Sequence, residues 1–384
     1  MSLAFGLRAV VAPLEQERCM HAMKAGICSF RLGGRDGVSA AVAGLAAALA
    51  LLDIDTVTIA GEGKADRIVP GLSASWRAAP DRARLEAEFA DLDLVVVENL
   101  FSLPLHLPAS LAVGDVLAGR PALVRHHDFP WQRQQFQHVR ELPLTDPAWL
   151  PITICEHSRR EAATRGIAAE TAYVSLVAPA PPSVDPRRVR GQLGVRPDDI
   201  LCLHPVRAIP RKNISTALEI VAEVGGSYWL TGPAEEGYGA EAQRLLTRPD
   251  IRTMWRDYDD FGIDSAYAAA DMVLFPSSLE GCGLPPIEAA MRDRLAVVGS
   301  HPVADEWREL GFQWPRPDQR RWLDQLLSDD AQRAEVIEQN RTVAMQRFTV
   351  AAAAAQLASL LDSRGWLPVP PTAHAALDSR LEVA

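Results

Sequence analysis

Two α/β halves, each a parallel sheet wound with helices and facing the other across a cleft, are what this 384-residue sequence predicts. Three observations carry that expectation. Short β-rich apolar runs alternate with longer helical patterns along the chain, which implies βαβ units and parallel sheets. A proline-rich stretch, APAPPSVDPRRVR at 178–190, interrupts the alternation near the middle. The length allows two or three domains, each able to bury its own core.

Taken in order, the first half offers strands at 26–30, 56–60, 94–98, 122–126, 152–155 and 172–176. The alanine-rich stretch 38–52 is shorter than the roughly 18 apolar residues of a membrane span, so it reads as a buried helix over 40–52. After the break come strands at 200–206, 227–230, 251–254, 272–275 and 296–299. Asn213 is placed to N-cap an amphipathic helix at 214–224, and a helical stretch at 329–361 closes the second half. The reading is therefore a domain at 1–178, a linker at 179–190, a domain at 191–365 and a tail at 366–384. Parallel sheets of this kind bind ligands beyond the carboxyl ends of their strands.

Composition narrows the function. Hydrophobic and charged fractions of 48% and 23% are ordinary for a soluble enzyme. A net charge of −10 argues against nucleic acid and against broad docking on anionic membranes. The N-terminus lacks the basic-then-apolar layout of a secretion signal. Cys19, Cys28, Cys155, Cys202 and Cys282 form no close pair, as expected of free thiols in a reducing cytoplasm. Only Lys24, Lys64 and Lys212 are lysines among 39 basic residues. A lysine kept in so arginine-rich a chain marks a place for a point-charge donor.

The chemistry concentrates at strand ends. Around Phe275 to Met291 an apolar strand runs into a loop with Glu280, Gly281, Cys282 and Gly283, then Leu284 and two prolines suited to a helix start. Backbone N–H groups and the helix dipole there favour an anion. Carboxylates at the same place, Glu280 and Glu288, would repel phosphate and so are expected to bind hydroxyls. The ligand this describes is phosphorylated and rich in hydroxyls. Arg207, Arg211 and Lys212 crowd the mouth of the strand at 200–206, a cluster able to hold a diphosphate and stabilise it as a leaving group. Arg211 reads as a solvated neighbour of the other two.

In the first half, Gly33, Gly34 and Gly37 open a helix after the first strand, permitting close approach of a phosphate or acceptor. The spacing is not the dinucleotide fingerprint. Arg125-His126-His127-Asp128-Phe129-Pro130-Trp131-Gln132-Arg133 ends another strand. Adjacent histidines on an extended chain point to opposite faces, so no metal site is expected there. Asn99 is a lesser candidate for the cleft floor, and Ser158 reads as a helix N-cap with Arg159 beside it.

The segment from Glu280 to Ala289 resembles the E-x7-E signature of retaining GT-B glycosyltransferases, specifically glycosyltransferase family 4. Cys282 departs from it, since an aromatic is usual there. Arg207 and Lys212 are similar to the family's R-x-x-P-x-K-N pair. The resemblance implies two Rossmann-like domains in the GT-B architecture and a nucleoside diphosphate sugar as donor, with a UDP, GDP or ADP base. It implies Glu280 on the donor sugar's hydroxyls, Glu288 on the ribose, Arg207 and Lys212 on the diphosphate, and Gly232 near the nucleotide. It sets Gly33, Gly34 and Gly37 across the cleft from the diphosphate, and His127 with Asp128 near the sugar, His126 being the alternate. Trp131, Gln132 and Arg133 are then expected to face a small-molecule, glycan or natural-product acceptor, with core packing an equal alternative for Trp131. The resemblance further implies transfer with retention and no essential metal. The alternatives are a sugar-nucleotide epimerase of the same shape and a catalytically silent binder.

Overall fold

The structure is a computed structural model and describes residues 23–34 and 36–367. Cys19, Arg35 and the tail beyond residue 367 lie outside the described residues. The first sheet contains β1 (Met23–Leu32), β2 (Ile54–Gly63), β3 (Arg67–Ile68), β4 (Leu94–Glu98), β5 (Ala122–His126), β6 (Trp149–Thr153) and β7 (Glu170–Thr171). The second contains β8 (Leu201–His204), β9 (Ser227–Leu230), β10 (Arg252–Trp255), β11 (Met272–Phe275) and β12 (Leu295–Val298). Their spatial orders are β3-β2-β1-β4-β5-β6-β7 and β10-β9-β8-β11-β12. Every pairing is parallel. All residues of β4, β5, β8, β9, β11 and β12 are buried, as strands covered on both faces by helices must be.

The order in which successive strands are laid down reverses between β1 and β4 in the first sheet, and between β8 and β11 in the second. At such a switch point the connections leave on opposite faces and open a crevice at the carboxyl ends. The glycines after β1, the Glu98–Asn99 step after β4, the cations after β8 and Glu280 after β11 all follow switch-point strands.

The chain returns at its end. The helix Val350–Asp362 packs on the helix Gly37–Ala50, burying Ala353, Ala354, Leu357 and Leu361 among Ile27, Leu45 and Leu94 of the first sheet's core. The halves are also joined by a polar contact. The Glu306 carboxylate, on the helix Pro302–Glu309, accepts from the backbone N–H groups of Glu156 and His157 at 2.8 and 2.7 Å. It thereby caps the helix Glu156–Ala163 of the other half. Burial raises the Glu306 carboxyl above its ordinary range.

Several sequence expectations change. The apolar run 172–176 is not a strand beyond β7; Leu176 instead bridges Thr349, its N–H donating to the Phe348 carbonyl. Its apolar character serves packing between the halves rather than sheet pairing. The two-residue β3 is too short to show a period in sequence. The proline-rich break ends in a helix, Pro186–Gln192, N-capped by Asp185 with Pro186 in its first turn. Ser158 is no N-cap: its hydroxyl lies inside its helix, accepting from Gln132 Nε2 at 3.1 Å. Asn213 occupies the expected N-cap position of the helix Ile214–Val224, its carbonyl accepting from Ala217 N, but at φ 57° its side chain makes no capping bond and turns to the Pro276 carbonyl.

Candidate functional site

From β8 the chain runs past Arg207 into a tight turn, Pro210–Lys212, that aims two cations at the loop after β11. Lys212 Nζ lies 2.6 Å from Glu280 Oε1, and Arg211 Nη1 lies 2.8 Å from Glu280 Oε2. Lys212 also sits over the Phe275 ring, 4.6 Å from its centroid. Arg211 is therefore no solvated neighbour: it donates to the Leu279 carbonyl at 2.8 Å as well, and its own carbonyl accepts from Ser278 N at 3.0 Å. Arg207 stands apart, half-buried and held by Glu235 Oε2 at 2.5 Å.

Electrostatics follow from this geometry. Burial opposes ionisation of Glu280, yet the adjacent Lys212 and Arg211 charges pull its carboxyl down to about 2. Burial pushes Lys212 the other way, down to about 8, against the attraction of Glu280. The pair is ionised at neutral pH, with the lysine near the edge of its charged range.

Beyond Glu280 the loop turns through Gly283, whose φ of 81° suits glycine and starts the helix Leu284–Met291. Gly281 is a close-approach glycine: a Cβ there would lie 2.7 Å from the His127 carbonyl oxygen and 2.9 Å from Asp128 Oδ1. The two halves thus meet at the residues singled out in each. Leu284 reaches toward Gly37 from the same loop, 3.8 Å from where a Cβ would stand. Cys282 turns its side chain into the core, burial raises its thiol, and its carbonyl accepts from Trp307 Nε1 at 2.7 Å. Glu288, one turn into this helix, accepts from the Tyr267 hydroxyl at 2.6 Å, and burial raises its carboxyl.

On the facing side the histidine step divides as an extended chain requires. His126 turns inward, its Nδ1 2.9 Å from Ser102 Oγ, and burial lowers it to about 3, so it is neutral. His127 turns to Glu98, Nε2 to Oε1 being 2.5 Å, while its backbone N–H donates to Asn99 Oδ1 at 3.1 Å. Asp128 pairs with Arg133 at 2.7 Å. Trp131 stacks on Phe129 at 4.4 Å and donates to Glu161, and Gln132 donates to the same carboxylate.

Two glycine positions have structural duties. At Gly232 a Cβ would meet the Val206 carbonyl at 2.3 Å, so this glycine lets the end of β9 pack on the Arg207 loop. After β1, the N-terminal amides of Val38 and Ser39 are already taken by the Asp36 carboxylate at 3.1 and 3.0 Å. Gly33, at φ 75°, packs on Lys64, and the Gly34 N–H donates to Ser39 Oγ at 3.1 Å. The amides of Gly34, Val38 and Ser39 are therefore engaged within the chain. Sequence reasoning also missed the buried Glu98–Arg125 pair and Glu306. For the pair a signal existed, since a charge inside or ending an all-apolar strand has to find a partner.

No protein-family model matches the chain. Mannosylglucosylglycerate synthase of Petrotoga mobilis is 22% identical, over 76% of this chain and 86% of that protein. Anabaena Alr3699/HepE, solved with UDP and glucose, superposes with a TM-score of 0.67 at 18% identity, covering 89% of this chain and 100% of that one. Sucrose-phosphate synthase of Thermosynechococcus elongatus does so at 0.61 and 17%, covering 89% and 98%. These likenesses establish the class of architecture: the chain has the two-sheet GT-B fold of glycosyltransferases.

Proposed function

We propose that the protein is a retaining glycosyltransferase of the family 4 kind, moving a hexosyl group from a nucleoside diphosphate sugar to an acceptor hydroxyl. The observation that carries this is the Lys212–Glu280–Arg211 cluster at the second sheet's switch point, pressed through Gly281 against His127 and Asp128. Cations beside a hydroxyl-binding carboxylate, opposite a second polar wall, form a place for a diphosphate joined to a sugar. The named activities of the relatives support the reading, and the UDP held by Alr3699/HepE makes uridine the first base to try.

In this mechanism the acceptor oxygen bonds to the anomeric carbon on the face from which the phosphate oxygen departs. The leaving diphosphate takes the acceptor's proton. Lys212 and Arg207 neutralise the charge the diphosphate gains, with the start of the helix Leu284–Met291 adding its dipole, so no metal is needed. Glu280 holds sugar hydroxyls, Glu288 the ribose, and His127 the sugar as positive character develops. The remaining contribution is positioning. A small, hydroxyl-rich acceptor is the class to test first, given the product named for the Petrotoga relative.

The test is thermal stabilisation by UDP, GDP and ADP with and without magnesium. A nucleotide at about 100 times its Kd adds about 2.7 kcal/mol to the folded state. One base that stabilises without magnesium supports the proposal, and no response to any of the three overturns it.

A further inference from the structure

Glu98 and Arg125 occupy directly paired positions on the neighbouring strands β4 and β5, so their side chains leave the sheet on one face. His127, two residues beyond Arg125, continues on that face. Arg125 Nη1 donates to both carboxylate oxygens of Glu98 at 2.9 Å, and His127 Nε2 meets Oε1. Glu98 is fully buried and Arg125 is 3% exposed. Burial works against a charged Glu98, but Arg125 and His127 hold its carboxyl below the ordinary range.

From this geometry we infer that Glu98 is a positioning residue for the transfer step, acting through His127, with Arg125 holding Glu98 ionised. An ionised carboxylate can only accept, so the ring presents Nε2–H to it, and a ring with a single proton carries that proton on Nε2. The lone pair is left on Nδ1. Together with the Asn99 bond to the His127 backbone, this fixes ring, tautomer and chain at once. The inference rests on the transferase reading, in which His127 faces the sugar: Nδ1 then accepts a hydrogen bond from a hydroxyl of the transferred sugar. Glutamine at 98 keeps the shape, but its amide offers the ring either a donor or an acceptor and leaves the tautomer unfixed.

Two measurements test this. Nitrogen-15 NMR of the histidine rings, with His127 assigned by the signal missing in His127→Gln, reads the tautomer of the wild type without any perturbing change. Nε2 protonated and Nδ1 bare is the expected result, and the opposite tautomer overturns the inference. Steady-state kinetics of Glu98→Gln, His127→Ala and the double variant give the second. Glu98→Gln should lower kcat about 10-fold or more, with the donor KM within about twofold, by analogy with the about 10- to 100-fold losses for partners that orient metal-ligating histidines. The double variant should be no slower than His127→Ala alone, as for residues acting as a unit. Multiplying losses, or a fully active Glu98→Gln, overturn the inference while leaving the transferase reading intact. A wild type that binds no nucleoside diphosphate overturns the reading itself, and this inference with it.

Discussion

Removing the Lys212 ammonium is the most informative perturbation. In Lys212→Ala the Glu280 carboxylate loses its partner at 2.6 Å but keeps Arg211 at 2.8 Å. Breaking a buried pair outright costs about 3–5 kcal/mol, and the retained arginine reduces the expected loss of stability to about 2 kcal/mol. On the proposed function the diphosphate should also lose one charge-assisted hydrogen bond, about 1.5–3 kcal/mol or about 10- to 150-fold in Kd. Titration calorimetry with UDP measures that change, and denaturant unfolding measures stability. The wild type carries a second signature. Burial brings Lys212 down to about 8 in the free protein, and on the proposed function a bound diphosphate should keep it charged. Affinity should therefore weaken as pH rises through 8 toward 9, by up to about tenfold per unit, and the variant should show no such slope. Equal affinities for wild type and variant, or a flat wild-type profile, would refute the role given to Lys212.

Glu280→Gln should abolish turnover while nucleoside diphosphate binding stays equal or tightens, because the cations lose a competing carboxylate; calorimetry and a transfer assay read both. The folded Glu280 carboxyl lies near 2, below its unfolded value, so its stabilising contribution is full above that unfolded value and fades as pH falls toward 2. The stability gap between wild type and Glu280→Gln should shrink over that window in urea unfolding. Glu306→Ala removes the cap shared between the halves and should cost about 0.5–2 kcal/mol, seen as a lower denaturation midpoint. Gly281→Ala sets a Cβ against the His127 carbonyl, so transfer should fall more than UDP affinity does.

Much of this was legible in the sequence because parallel strands announce themselves. Strands at 94–98, 122–126, 227–230 and 272–275 emerged with their predicted bounds, since continuous apolar runs bounded by polar turns have few other uses. The position of Lys212 and of Glu280 just beyond strand ends was legible for the same reason, whereas the adjacency of those two strands was not. What was not legible depends on partners far along the chain. Arg211 looked solvated because nothing local reveals that Glu280, 69 positions later, lies within reach. Glu306 drew no reading from the sequence, because the backbone it caps lies 150 positions upstream. The run 172–176 misled because packing between the halves selects the same residues as a strand.

The claim most directly exposed to test is that the Lys212–Glu280 cluster and His127 belong to one transfer site. Incubating the wild type with a UDP-hexose and a hydroxyl-rich acceptor, and following the anomeric proton by NMR, examines it in a single reaction. The expected result is UDP release coupled to a new glycoside of the donor's own anomeric configuration, without added magnesium. Release of UDP with an inverted product, or no consumption of any nucleotide sugar that binds, would contradict it.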